Sequence, residues 1–158
     1  MYLTNVRPDI WFVVNTLSQL LMDPRNVHFI AAKHVLRYLK GTVDYGLKYD
    51  ATQKIKLHSY VDSDWAGSAT DRKRTSGCCL SLGFGMISWF NRKQSCVALS
   101  TTEVEYIASC SASCEVVWLW KLLFDLFDLK LDVTCIFCDN QSCMKLSKNP
   151  VFHDKENI

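Results

Sequence analysis

The sequence predicts an α/β fold: a mixed sheet of three antiparallel strands, a crossover helix, a parallel fourth strand and a last helix, all preceded by an αα-hairpin. Three observations predict it. Apolar residues recur at helical spacing through about the first forty positions, broken by Asp23-Pro24. The stretch from Ile55 to Asn91 holds three β-type runs, separated by a polar, basic loop and by Gly83-Phe84-Gly85. After it comes one long helical pattern, then a short apolar run and a short helical segment. The 158 residues suffice for a respectable core. The change of pattern sets expected domains at 1–44 for the hairpin and 45–158 for the sheet.

Pro8 opens the first helix, where its missing N–H costs nothing. Ile10, Val13, Val14, Leu17, Leu20 and Leu21 share its apolar side. Asp23-Pro24 stops it, because a residue before proline is pushed out of helical conformation. Asn26 is the expected cap of the second helix, with Ile30, Val35, Leu36 and Leu39 on its apolar side and Lys40-Gly41 at its end. Such a hairpin cannot bury its apolar faces alone and must dock on something. Gly46 to Asp50 reads as a weak strand and Ile55 to Val61 as a stronger one. Gly67 to Arg74 is the polar loop. Thr75 to Leu82 and Met86 to Asn91 are the next strands, with Gly83-Phe84-Gly85 as their turn. Ser100 or Thr101 caps the longest helix, with Glu103 as capping-box partner. That helix runs to about Phe127, and Val116, Val117, Trp118, Leu119, Leu122 and Leu123 crowd its core half. Val133 to Cys138 is a short apolar strand expected at the sheet centre. Asn140 to Leu146 is a short helix, ended by Asn149-Pro150.

A composition of 49% hydrophobic and 22% charged residues is that of a globular chain, not a disordered one. The net charge of +2 is too small to signal nucleic-acid binding by itself, so a basic surface must be local. Lys121 and Asp125 break the richest apolar stretch, so no bilayer span and no membrane partner are expected. Asn5, Arg7, Pro8 and Asp9 interrupt the N-terminus, which therefore does not read as a secretory leader. The eight cysteines are expected to be reduced and to act as small hydrophobes. Cys135 and Cys138 have CxxC spacing, but residues three apart in a strand point to opposite faces, which argues against a metal clip. Cys110 and Cys114, one helical turn apart, read as two buried thiols.

Carboxylates cluster at three element boundaries: Asp62 and Asp64, Glu103 and Glu105, and Asp139. If the strands bearing Asp62 and Asp139 are parallel neighbours, both side chains meet at one end of the sheet, where open α/β sheets bind ligands. The start of the long helix can cross that end. Carboxylates gathered there repel one another unless a divalent cation sits among them, which points to a magnesium site, with manganese as its substitute. Singly, each has a duller role: Asp62 and Asp64 as turn residues, Glu103 as capping partner, Glu105 as a solvated helix residue, Asp139 as a helix N-cap. Together and in this order they favour the metal. Glu103 and Glu105 point about 200° apart on a helix, so only one faces it. Asp62 and Asp64 share a strand face, and geometry does not choose between them.

A set of motifs runs in order along nearly the whole chain: Arg7-Pro8-Asp9-Ile10, Leu36-Arg37-Tyr38-Leu39-Lys40-Gly41-Thr42, Asp62-Ser63-Asp64-Trp65-Ala66-Gly67, Arg74-Thr75-Ser76-Gly77, Ile87-Ser88-Trp89, Lys93-Gln94, Val97 to Ala108, Cys138-Asp139-Asn140 and Asn149-Pro150-Val151-Phe152-His153. They resemble the C-terminal part of a copia-type retrotransposon Pol polyprotein. About the first forty residues resemble the connection that follows the reverse-transcriptase palm, and the rest its ribonuclease H domain. The resemblance implies a ribonuclease H-like sheet and hydrolysis of RNA in RNA–DNA hybrids, leaving a 3′-hydroxyl and a 5′-phosphate. It selects Asp62, Glu105 and Asp139 as catalytic metal ligands, and makes Asp64 and Glu103 secondary candidates. It also implies the palm region of a longer polyprotein as a partner, and a cytoplasmic virus-like particle as the location of an active element. The family continues with a further strand and a closing helix that carries a fourth carboxylate. This chain stops at Ile158, and its tail Asp154-Lys155-Glu156-Asn157-Ile158 departs from the family pattern. It therefore reads as a C-terminally truncated remnant with weak or no activity alone.

A hybrid-binding surface needs cations for phosphates and polar groups for the minor groove. Arg72, Lys73 and Arg74, then Arg92, Lys93 and Gln94, then Asn140, Gln141 and Ser142 at a helix start are the candidates. Trp65 and Trp89 read as packing residues before stacking platforms. The alternative to a nuclease is a catalytically inactive fragment that binds nucleic acid or a protein through an exposed sheet edge. An integrase-type site is disfavoured by the spacing and by the glutamate in the middle position.

Overall fold

Helical spacing at the start of the chain resolves, in the computed structural model, into α1 (Tyr2–Val6), α2 (Pro8–Gln19) and α3 (Asn26–Gly41). The structure describes residues 2–50, 52, 54–64 and 73–149. They group into two units, Met1–Lys48 and Tyr49–Ile158. The expectations for Trp65, Arg72, Pro150 and the residues after it lie outside the described residues.

In the first unit Pro8 occupies the first turn of α2, as expected. The short α1 before it carries no sequence signal that set it apart. Asn26 is not the cap of α3: Arg25 holds that position, and its backbone N–H donates to His28 Nδ1 at 3.1 Å. A polar clamp joins the two longer helices. The buried Arg7 guanidinium donates to both Asp9 oxygens at 2.9 and 2.6 Å, to the Thr42 carbonyl at 3.0 Å and to the Thr42 hydroxyl at 2.8 Å. Tyr38 donates its hydroxyl to Asp9 at 2.8 Å. Among the described residues of this unit Ile10 is the buried apolar one, while Val13, Leu20, Leu21, Ile30 and Leu36 of the two expected apolar sides stay exposed. An apolar groove of about 460 Å³ lies among Leu3, Ile10, Val14, Leu17, Val35 and Leu39.

The second unit is the predicted α/β arrangement. Strands β1 (Leu57–Asp64), β2 (Thr75–Leu82) and β3 (Gly85–Lys93) are antiparallel, α4 (Thr101–Phe127) crosses over, β4 (Cys135–Phe137) joins β1 in parallel, and α5 (Gln141–Lys148) follows. The strand order is β3-β2-β1-β4. Gly83, at φ 62°, takes the left-handed conformation that the tight turn between β2 and β3 demands. Alternation along β1 sends Leu57, Ser59 and Val61 inward. They meet Cys78, Leu80 and Phe90 and one stripe of α4: Ala108, Ala112, Val116 and Leu119. Two alanines in that stripe let the helix lie close to the sheet.

Several expectations are corrected. Residues 46–50 form no strand. Instead Tyr49 lays its ring over Gly85 and donates its hydroxyl to the Met86 carbonyl at 2.6 Å. The fourth strand spans three residues and sits at the sheet edge among the described residues, with Val133 and Phe137 exposed. Apolar content alone does not separate a central strand from an edge. On α4, Val117 and Trp118 are exposed, because a helix has one inward stripe and these residues are rotated off it. By length and composition α4 is long and apolar enough to cross a membrane, contrary to the sequence reading. Here it is the core helix of the sheet. All eight cysteines are free, but only Cys78 and Cys143 are buried; Cys96, Cys110, Cys114 and Cys135 are exposed.

Candidate functional site

The parallel ladder sets the site. Tyr60 of β1 lies opposite Phe137 of β4, and their rings stack with centroids 5.1 Å apart. Two residues further along each chain come Asp62 and Asp139, at the same end of the sheet. The first turns of α4 cross this end. A pocket of about 330 Å³ forms there, lined by Asp62, Ser63, Arg74, Thr101, Glu105, Asp139 and Asn140.

The cap of α4 separates its two glutamates. Ser100 is the N-cap, and its hydroxyl accepts the Glu103 N–H at 3.1 Å. The Glu103 carboxylate turns back to accept the Leu99 N–H at 2.6 Å. Glu103 is thereby committed to the helix start and does not line the pocket. Glu105 does, at only 7% exposure. Ser63 Oγ donates to its Oε1, and Cys138 Sγ to its Oε2 at 3.7 Å. Burial above all pushes the Cys138 thiol up to about 11, so it stays protonated near neutrality and can donate.

Asp139 is not the cap of α5. Asn140 takes that role, accepting the Cys143 N–H at 2.9 Å, and Asp139 is left exposed at the pocket. Single ligand atoms of Glu105, Cys138 and Asp139 all lie within 4.8 Å of one another. Asp62 is exposed and lines the same pocket without belonging to that close group. Asp64 is the last residue of β1. Glu105 and Asp139 bring two carboxylates into the close group and Asp62 a third to the pocket, the hard oxygen donors that suit magnesium or manganese, while the Cys138 thiol in that group is a soft one.

Sequence reasoning missed Ser63 and Cys138. The alternation that sends Ser59 and Val61 toward α4 also sends Ser63 there, a signal available in the sequence. Cys135 and Cys138 do not converge, as expected: Cys138, just past the end of the strand at Phe137, faces Glu105, while Cys135 is exposed and outside the group.

Among the polar candidates, Arg74 lines the pocket and Lys73 is half-buried. Arg92 and Lys93 are exposed at the end of β3, with the Arg92 guanidinium 4.8 Å from the Phe90 ring centroid. Gln141 and Ser142 are exposed in the first turn of α5. Gln94 is a correction: it is buried, and its Nε2 donates to Ser76 Oγ at 2.8 Å and to the Val104 carbonyl at 3.0 Å. A polar residue after a basic pair gives no hint of that structural role. Trp89 is half-buried opposite Cys79.

No family model and no solved structure matches this chain. Curated proteins do. The chain is 41% identical over 154 residues to the retrovirus-related Pol polyprotein from transposon RE2 of Arabidopsis thaliana, a match that covers 98% of this chain and 11% of that protein. It is 41% identical over 147 residues to the corresponding polyprotein from transposon TNT 1-94 of Nicotiana tabacum, covering 93% and 11%. It is also 48% identical over 120 residues to secreted RxLR effector protein 161 of Plasmopara viticola, covering 75% of this chain and 84% of that one. The chain thus spans about a tenth of the length of the polyproteins it matches. Because those matches run through almost all of its residues, including both units, the chain belongs to the copia-type retrotransposon Pol polyprotein family.

Proposed function

We propose that the second unit is a ribonuclease H-like module that hydrolyses the RNA strand of an RNA–DNA hybrid with a divalent cation. The observation that carries this reading is the pocket shared by Asp62 from β1, Glu105 from α4 and Asp139 after β4. Asp62, Glu105 and Asp139 would hold the ion, magnesium or manganese. When bound, such an ion polarises a phosphodiester and lowers the pKa of a water that attacks it. The chain's own residues orient the reactants. The buried Glu105 supplies a fixed carboxylate, while the exposed Asp62 and Asp139 stand where a nucleic-acid backbone can approach. Arg74 at the pocket supplies positive charge for a phosphate. Lys73, Arg92 and Lys93 extend that charge, and Gln141 and Ser142 offer polar contacts at the start of α5. The reverse-transcriptase palm region of a longer polyprotein is the proposed partner that delivers the hybrid.

Cleavage of an end-labelled RNA–DNA hybrid with magnesium, by the wild-type chain and by Asp62→Asn, tests this. Cleavage by the first and at least a hundredfold less by the second is expected, on the order of the loss when a reacting-centre group is removed. Equal background from both would rule out the nuclease.

A second reading, an inactive module that binds nucleic acid or protein, is favoured by one observation: among the described residues β4 lies at the sheet edge, with Cys135 and Phe137 exposed. Binding of the hybrid without cleavage, weakening steeply with added salt, is its expected signature.

A further inference from the structure

We propose that Ser63 is the positioning residue for Glu105. This rests on the reading of the pocket as a divalent-ion site. Strand β1 turns Leu57, Ser59 and Val61 toward α4, and all three are buried. Ser63 is the next position in that row. There the apolar packing stops and a carboxylate at 7% exposure begins. The Ser63 hydroxyl donates to one oxygen of that carboxylate. The other oxygen accepts from Cys138 at 3.7 Å, and a thiol is a weak donor. Each carboxylate oxygen offers two lone-pair directions, so one hydrogen bond apiece leaves room for a cation. The serine therefore fixes the carboxylate without blocking it. An apolar side chain at 63 leaves one oxygen of a buried acid without a donor and lets the group rotate away from Asp139.

Groups that hold a ligating carboxylate are worth roughly 10- to 100-fold in metal affinity. The test uses Mn²⁺ alone, titrated into the whole chain, with free ion counted by electron paramagnetic resonance. Ser63→Thr and Ser63→Val have nearly the same shape and strand preference and differ in the hydroxyl. The threonine variant is expected to stay within a few-fold of the wild type, and the valine variant to bind about 10- to 100-fold more weakly. A role in packing alone would not separate the two. Equal Mn²⁺ affinity for threonine and valine overturns the proposal. Asp139→Asn distinguishes the two levels. If it weakens Mn²⁺ binding while Ser63→Val does not, only the positioning role falls. If neither variant changes binding, the pocket is not the ion site and the underlying reading falls as well.

Discussion

The side-chain amide of Gln94 donates to the backbone carbonyl of Val104 at 3.0 Å, fastening the chain after β3 to the first turn of the helix that carries Glu105. Its second hydrogen bond, to Ser76 at 2.8 Å, adds β2 to the same joint. All three residues are buried. Gln94→Leu fills a similar volume but removes both donors. Losing two buried hydrogen bonds costs about 1–3 kcal/mol. We expect the urea midpoint to fall accordingly, with the helical circular dichroism of the folded protein unchanged.

Gly85 is required by its neighbour. A Cβ at this position would lie 2.3 Å from Tyr49 Cδ1 and 2.5 Å from Cε1, so the ring has to leave. Leaving breaks the bond from the Tyr49 hydroxyl to the Met86 carbonyl. Gly85→Ala is therefore expected to destabilise by about 1–2 kcal/mol, the usual range for overpacking with a lost hydrogen bond. In a Tyr49→Ala background the same substitution should cost almost nothing. A double-mutant cycle on chemical denaturation measures that coupling, and additive effects would show that the ring is not the obstacle.

The loop-to-helix switch after β4 depends on which of two adjacent residues caps α5. Asn140 does so through the Cys143 N–H. Asn140→Ala should cost about 1 kcal/mol, and Asn140→Asp only a fraction of it, since either side-chain oxygen can accept that N–H. Hydrogen exchange of the α5 amides reads the difference. Fraying that follows Asp139→Ala instead would reassign the cap and bring back the duller role for that aspartate.

These joints explain what the sequence made legible. Strand and helix order followed from periodicity and turn chemistry, which are local: Gly83 at its turn, Pro8 at its helix start, Ser100 at its cap. Asp62, Glu105 and Asp139 fell at one pocket because the ends of parallel neighbours coincide by geometry. What stayed hidden was set by tertiary partners. The burial of Gln94 comes from Ser76 and Val104, neither adjacent to it in the chain. The exposure of Trp118 follows from the rotation of α4 on the sheet, which a count of apolar residues does not contain. Cys138 enters the site as a donor to Glu105, which lies 33 positions earlier in the chain.

Acidity should act on the first unit through Asp9. Its carboxyl is held down from an ordinary 3.8 to about 2, chiefly by the hydrogen bonds from Arg7, with the Tyr38 hydroxyl adding to the effect and partial burial opposing it. The folded state thus favours the charged form more than the unfolded state does. That preference contributes its full stability above about pH 4, and the contribution drains away as pH falls from about 4 toward 2, where the folded carboxyl itself takes up a proton. Asp9→Asn removes the charge at every pH. It should lower stability near neutrality, and its stability should depend less on pH between 4 and 2 than that of the wild type. Amide exchange in α2 and α3, followed across that interval for both proteins, makes the comparison. Parallel curves for wild type and variant would show that the clamp of Arg7, Asp9 and Tyr38 does not couple this unit to protons.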